Sequence, residues 1–264
     1  MGGDLSAAAA PGIVAAPGWR VAAASVQGAA HLRAGVPCQD AHRWSALPGG
    51  RLVAAVADGA GSAQHAEAGA RAAADAVVRS VHDAITADPD ADPAAVLERA
   101  FHAALEAVEA EAAGRGANPS DLATTLAAAV AGPERVVVAQ VGDGAVVVRG
   151  RDGALHVAGA AAPRGEYLNE TVFLTSPGAL EPLRALALDV APSHLALLTD
   201  GLQLLALRMP GYTPHAPFFE PLFRFAAEEA DPERASGRLR AYLAGPRIAE
   251  RADDDLTLLL AALA

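Results

Sequence analysis

Lysine is absent from this 264-residue chain; all 20 basic residues are arginine. That absence removes the P-loop lysine, Schiff-base chemistry and the kinase strand lysine, and with them nucleotide-driven phosphoryl transfer by those routes. A lone cysteine, Cys38, excludes a disulfide framework and a cysteine-based zinc site. Positive charge is scarce: 20 basic against 31 acidic side chains give a formal net charge of −11. This argues against a nucleic-acid partner, because the phosphate backbone rewards a basic surface. No apolar run approaches the ~20 residues of a membrane span. Residues 1–18 carry Asp4 and no arginine, unlike the positively charged start of a secretory signal. The expectation is a soluble cytoplasmic protein with neither a nucleic-acid nor a membrane partner.

What is present is a chain able to fold. It is 52% hydrophobic and 19% charged, and long enough to bury roughly 70–75% of its unfolded surface. Residues 1–18, rich in Ala, Gly and Pro, read as a flexible tail, and 19–264 as one domain, since no repeat or long linker divides them. Strands are predicted at Arg20–Val26, Leu52–Ala57, Leu122–Val130, Arg135–Val141, Ala145–Arg149, Leu155–Ala158, Thr171–Thr175, Arg184–Val190, Leu195–Thr199 and Leu256–Leu263. Helices are predicted from Ala66 to Ile85, from Asp92-Pro93 to Gly114, over Phe218–Ala230 and over Pro232–Leu243. In the first, Ala70, Ala74, Val77, Val81 and Ile85 form the buried face. Its polar face repeats Glu67, Arg71, Asp75, Arg79 and Asp83 every fourth position. Helices in pairs and strands in runs, joined by short turns, indicate α+β layers with largely antiparallel pairing.

Three apolar strands stop at Asp-Gly: Asp58-Gly59, Asp143-Gly144 and Asp200-Gly201. Asp253-Asp254-Asp255 precedes the last strand, and Asp40 lies just before the second. Asp-Gly is also the favoured two-residue hairpin turn, and for Asp143, flanked by strands, that reading weighs equally. If Asp40, Asp58, Asp200 and Asp254 met, each pair of carboxylates 4 Å apart would repel by roughly 4 kcal/mol at an effective dielectric near 20. Such a cluster survives only if protonated or filled by cations, and oxygen-only ligands select hard ions such as Mg²⁺ or Mn²⁺.

Seven short segments occur in an order that resembles the metal-dependent protein phosphatase family, the type 2C Ser/Thr phosphatases, in a compact bacterial branch. They are Gly28-x-x-His31-x-x-x-Gly35-x-Pro37-x-Gln39-Asp40, Val56-Ala57-Asp58-Gly59-Ala60-Gly61-Ser62, Ala123-Thr124-Thr125-Leu126, Gly142-Asp143-Gly144, Asn169-Glu170-Thr171-x-Phe173-Leu174-Thr175-Ser176, Leu198-Thr199-Asp200-Gly201 and Asp253-Asp254-Asp255-Leu256-Thr257-Leu258. The resemblance implies a four-layer α-β-β-α sandwich, two mostly antiparallel central sheets flanked by helix pairs, with residues 19–264 as a single type 2C phosphatase-like domain. It implies two Mg²⁺ or Mn²⁺ ions, with a third in some members. Asp58 would bridge the two with the Gly59 carbonyl as a further ligand, Asp200 and Asp254 would hold one ion, Asp40 would act through bound water, and Asp143 would serve the third. The implied reaction is hydrolysis of phosphoserine or phosphothreonine in a protein by a metal-activated water, without a phosphoenzyme.

Three positions depart from the family pattern. Gln39 stands where an acidic residue is common, Ala60 replaces the histidine that acts as general acid in animal members, and Gly35 replaces a phosphate-gripping arginine. Arg33 is the candidate substitute for that arginine, since guanidinium matches phosphate bidentately, and His31 is the candidate proton donor to the leaving group. The departures also admit a degenerate phosphatase-like domain that binds a phosphoprotein without turnover. Arg43 falls one residue short of the spacing a cysteine-phosphatase loop needs, so Cys38 reads as a semi-buried thiol.

Overall fold

The computed structural model describes residues 18–158, 171–249 and 251–264. The expected tail, apart from Gly18, and the Asn169-Glu170 pair of the fifth segment lie outside the described residues. In chain order the strands and helices are β1 (Trp19–Val26), α1 (Ala29–Ala34), β2 (Asp40–Leu47), β3 (Arg51–Asp58), α2 (Ala66–Ala87), α3 (Pro93–Arg115), β4 (Leu126–Ala131), β5 (Val136–Val141), β6 (Ala145–Gly150) and β7 (Leu155–Ala158). After these come β8 (Leu186–Leu188), β9 (Pro192–Leu198), α4 (Gln203–Ala206), β10 (Leu207–Arg208), β11 (Thr213–Pro214), α5 (Ala216–Glu228), α6 (Pro232–Leu243), α7 (Pro246–Ala249) and β12 (Leu256–Leu263).

One five-stranded sheet runs β1-β12-β9-β6-β7 and the other β2-β3-β4-β5-β8, with every recorded pairing antiparallel. The two-residue period of a strand, with both faces buried, explains the long apolar runs of the central strands. On β3, Val53, Ala55 and Ala57 pack toward α2 and α3, while Leu52, Ala54 and Val56 pack toward the other sheet. On β12, Leu256, Leu258, Leu260 and Ala262 meet the α5–α6 layer, while Leu259 and Ala261 face the sheet opposite. Two-sided burial in both sheets, with a helix pair outside each, is the four-layer α-β-β-α sandwich.

Local signals set the helices. The side chain of Asp92 accepts from the backbone N–H groups of Ala94 and Ala95, Pro93 opens α3, and Gly116 ends it in a left-handed conformation. The buried face predicted for α2 is the face that packs. On its polar face, Asp75 pairs with Arg43 of β2 across the layer boundary.

Several expectations are corrected. β2 had no predicted counterpart: its polar residues Arg43 and Ser45 turn to Asp75 and His82 of α2, which masks the alternation in this edge strand. Residues 171–175 form turns rather than a strand; Thr171 donates to Asp143 and Leu174 plugs the α2–α3 core. Arg184–Val190 contracts to the three residues of β8, and 119–122 is a 3₁₀ turn ahead of β4. Asp143-Gly144 is not a hairpin turn: β5 and β6 belong to different sheets, and Gly142 (φ 96°) carries the left-handed backbone where the chain crosses between them. Among the described residues, no helix is long and apolar enough to cross a membrane.

Candidate metal centre

The topology delivers acidic residues from both sheets to one end of the sandwich. Asp40, first residue of β2, and Asp58, last residue of β3, are direct antiparallel partners. In the other sheet β9 ends at Leu198, paired with Leu258 of β12, so Asp200 and Asp254 emerge side by side just beyond their strands. Asp143 arrives on the turn entering β6, whose Ala145 also pairs with Leu198.

Threonines fix this end. Asp58 N–H donates to Thr125 Oγ1 at 3.1 Å, and Thr124 Oγ1 donates to the Asp58 carbonyl at 2.9 Å. Thr199 Oγ1 donates to Asp40 Oδ2 at 2.7 Å and accepts from Thr257 N–H at 3.0 Å, tying an acidic residue of one sheet to the strand ends of the other. Thr171 Oγ1 donates to Asp143 Oδ2 at 3.0 Å.

The electrostatics follow from burial. The Asp58 carboxyl is pushed up to about 11, first by desolvation and then by Asp40 and Asp200, with Asp254 adding. Asp40 is pushed up to about 8 by desolvation, opposed by hydroxyl hydrogen bonds from Thr199 and Thr257 and reinforced by Asp255 and Asp200. Asp200 is raised as well, chiefly by desolvation, with Asp143 and Asp254 nearby. The Asp58 and Asp200 carboxyls are near enough to perturb each other. Among the described residues, no three His, Cys, Asp or Glu side chains are drawn around one point at ligating distance.

That geometry nevertheless fits hard cations. Asp40 Oδ1 and Asp200 Oδ1 are buried with no hydrogen-bond partner, a costly state that a cation relieves. The donor set is all oxygen, as Mg²⁺ and Mn²⁺ prefer.

The remaining sequence candidates fall around this cluster. His31, on α1, places Nδ1 2.9 Å from Asp255 Oδ2, although the ring is turned so that no hydrogen bond completes. An ideal Cβ on Gly61 would stand 4.0 Å from both His31 Nε2 and Gln39 Oε1, so the 59–62 loop, Gln39 and His31 share one wall. Arg33 sits exposed at the rim, 3.2 Å from exposed Asp253; such pairs are weak, so the guanidinium is readily released to another anion. Cys38 is pushed up to about 12 by burial, with Asp255 and Asp40 adding, so it is a thiol rather than a nucleophilic thiolate. Pro214 and Ala216 line a separate cavity with Arg149 and Leu155, at the end of β6 opposite Asp143.

Sequence reasoning missed Thr199 as the partner of Asp40, and missed Asp255. The signal for Asp255 was available: the alternation of β12, extended backward, puts 255 on the same side as Thr257 and Leu259, facing the second sheet.

Residues 27–244 match the protein phosphatase 2C family. Over 250 residues the chain is 32% identical to Serine/threonine-protein phosphatase 3 of Escherichia coli (strain K12), covering 92% of this chain and 98% of that one. Among solved structures it resembles a bacterial serine phosphatase, with TM-score 0.59 and 16% identity over 92% of this chain and 97% of that one. It also resembles the catalytic domain of the serine threonine protein phosphatase PstP in complex with two manganese ions, with TM-score 0.57 and 21% identity over 93% and 98%. The fold, the order of the acidic segments and this kinship agree: the chain belongs to the protein phosphatase 2C family.

Proposed function

We propose that this protein is a cytoplasmic phosphatase that hydrolyses phosphoserine and phosphothreonine esters of a signalling protein, using two Mg²⁺ or Mn²⁺ ions. The observation that supports the reading is the delivery of Asp40, Asp58, Asp200 and Asp254 to one end of the sandwich, with the partnerless buried oxygens of Asp40 and Asp200 among them. The name of the Escherichia coli relative and the manganese ions of the PstP catalytic domain support it.

In this reading Asp58, with the Gly59 carbonyl as a further ligand, Asp200 and Asp254 would hold the ions, Asp40 would contribute through water, and Asp143 would serve a third ion. Bound there, the ions would supply an activated water and neutralise phosphate charge. The protein's own groups do the rest. Thr124 and Thr125 hold the Asp58 backbone against β4, so its carboxylate is pre-positioned and little reorganisation is needed. Arg33, released from Asp253, grips the phosphate oxygens at the rim. His31 Nε2 faces the wall shared with Gly61 and Gln39, from which it donates a proton to the departing alcohol.

A second reading, a phosphoprotein-binding module without turnover, draws on buried Ala60 and neutral Gln39. Turnover of an aryl phosphate and a phosphothreonine peptide, with Mn²⁺, Mg²⁺ or chelator, separates the two. Metal-dependent turnover abolished in Asp58→Asn and Asp200→Asn is expected. Turnover indifferent to chelator contradicts the metal mechanism, and metal binding without turnover supports the binding module.

A further inference from the structure

Asp255 is 2% exposed and, among the described residues, forms no ion pair with an arginine, yet both of its oxygens are engaged. Oδ1 accepts from Gly28 N–H at 2.6 Å and Oδ2 from Gln39 N–H at 2.6 Å, the latter beside His31 Nδ1 at 2.9 Å. Both amides belong to the segment that leads into Asp40, one at its beginning and one at its end. The same segment is pinned again where Ala30 N–H donates to the Asp253 carbonyl at 2.9 Å. The approach is so close that an ideal Cβ on Gly28 would lie 2.2 Å from the Asp254 carbonyl carbon and 2.3 Å from its oxygen. Only glycine fits there.

From this we infer that Asp255 is the positioning residue of the centre: it clamps residues 28–39 onto residues 253–255, and so sets Asp40 and Asp254 at a fixed separation across the two sheets. The inference rests on the proposed metal site and goes beyond it by assigning the one member of the acidic triplet that holds no ion. Two backbone N–H groups occupy the two oxygens of this buried carboxyl in short bonds, so Asp255 is engaged by the backbone rather than by an ion. Asp254, exposed one residue earlier and accepting from Asp255 N–H at 2.8 Å, keeps its remaining oxygen for an ion. Outer partners of this kind change metal affinity by about 10–100-fold when removed.

The test is manganese titration of the full chain by calorimetry, together with activation of turnover by manganese. Asp255→Asn keeps the shape but offers one acceptor where two are needed. It is expected to weaken manganese binding at least tenfold and to raise the manganese concentration needed for activation, while kcat at saturating manganese returns toward that of the wild type. That recovery distinguishes a positioning role from a general loss of structure, which excess metal does not repair. Gly28→Ala leaves Asp255 intact but forces the same segments apart, and should weaken manganese binding in the same direction if Asp255→Asn fails to fold. Wild-type affinity in either folded variant, or a kcat that saturating manganese does not restore, overturns the inference and leaves the proposed function standing. Failure of the wild-type chain itself to bind manganese overturns both.

Discussion

Asp40 and Asp58 stand directly opposite each other across the β2–β3 pair, two carboxylates at one register position in a partly dehydrated sheet end. Like charges placed opposite each other destabilise an antiparallel pair, and burial sharpens the conflict. In the fold this pairing is a cost, met by protonation in the metal-free chain and, in the proposed function, by cations. Replacing Asp58 by Asn should therefore stabilise the metal-free protein. A gain of about 1 kcal/mol raises the melting midpoint by about 2–4 °C for a domain of this size. The same substitution should remove the stabilisation that manganese gives the wild type, which is about 2.7 kcal/mol at a hundredfold excess over Kd. Thermal melts with manganese or chelator check both signs.

The fold was largely legible because two-sided burial writes itself into sequence. Central strands such as β3 and β12 carry long unbroken apolar runs, Leu52–Ala57 and Leu258–Leu263, and Asp92-Pro93 announces the start of α3. β2 was illegible for the converse reason: its outward residues find partners on α2, so its polarity comes from contacts that sequence does not display. Individual acidic residues could be singled out because each ends or precedes an apolar strand. That they meet depends on which strands are neighbours, a long-range property carried by the order β1-β12-β9-β6-β7 and not by any one segment. The division of labour within Asp253-Asp254-Asp255 likewise needed the backbone amides of Gly28 and Gln39, hundreds of residues away in the chain.

His194 provides a pH-dependent element remote from the carboxylates. It lies on β9, opposite Arg149 of β6, with its ring 4.9 Å from that of Phe223 on α5 and Nδ1 3.0 Å from Ser193 Oγ. Burial, and then the Arg149 guanidinium, hold it below the usual histidine value, with a bond to the Phe223 backbone opposing. The unfolded chain then binds more protons than the folded one as pH drops below about 6.5, so the contribution of His194 to stability falls over that range. The difference between wild-type and His194→Gln melting midpoints should shrink as pH is lowered from 7 toward 5. A difference that grows on acidification contradicts this assignment.

Cys38 should be chemically quiet. Its half-buried thiol lies beside Asp255 and Asp40, surroundings that disfavour the thiolate. Alkylation in the native protein should be far slower than after unfolding, as followed by mass spectrometry, and Cys38→Ser should keep metal-dependent turnover within about twofold of the wild type. Loss of turnover with unchanged manganese binding would restore a chemical role for the sulfur.

The direct measurement of the whole account is the number of manganese ions bound per chain, by calorimetry or equilibrium dialysis, in the wild type and in Asp58→Asn. The account predicts at least two ions in the wild type and loss of tight binding in the variant, whose fold is intact and more stable. A wild-type chain that takes up no manganese, or an Asp58→Asn variant that takes up as much, contradicts it.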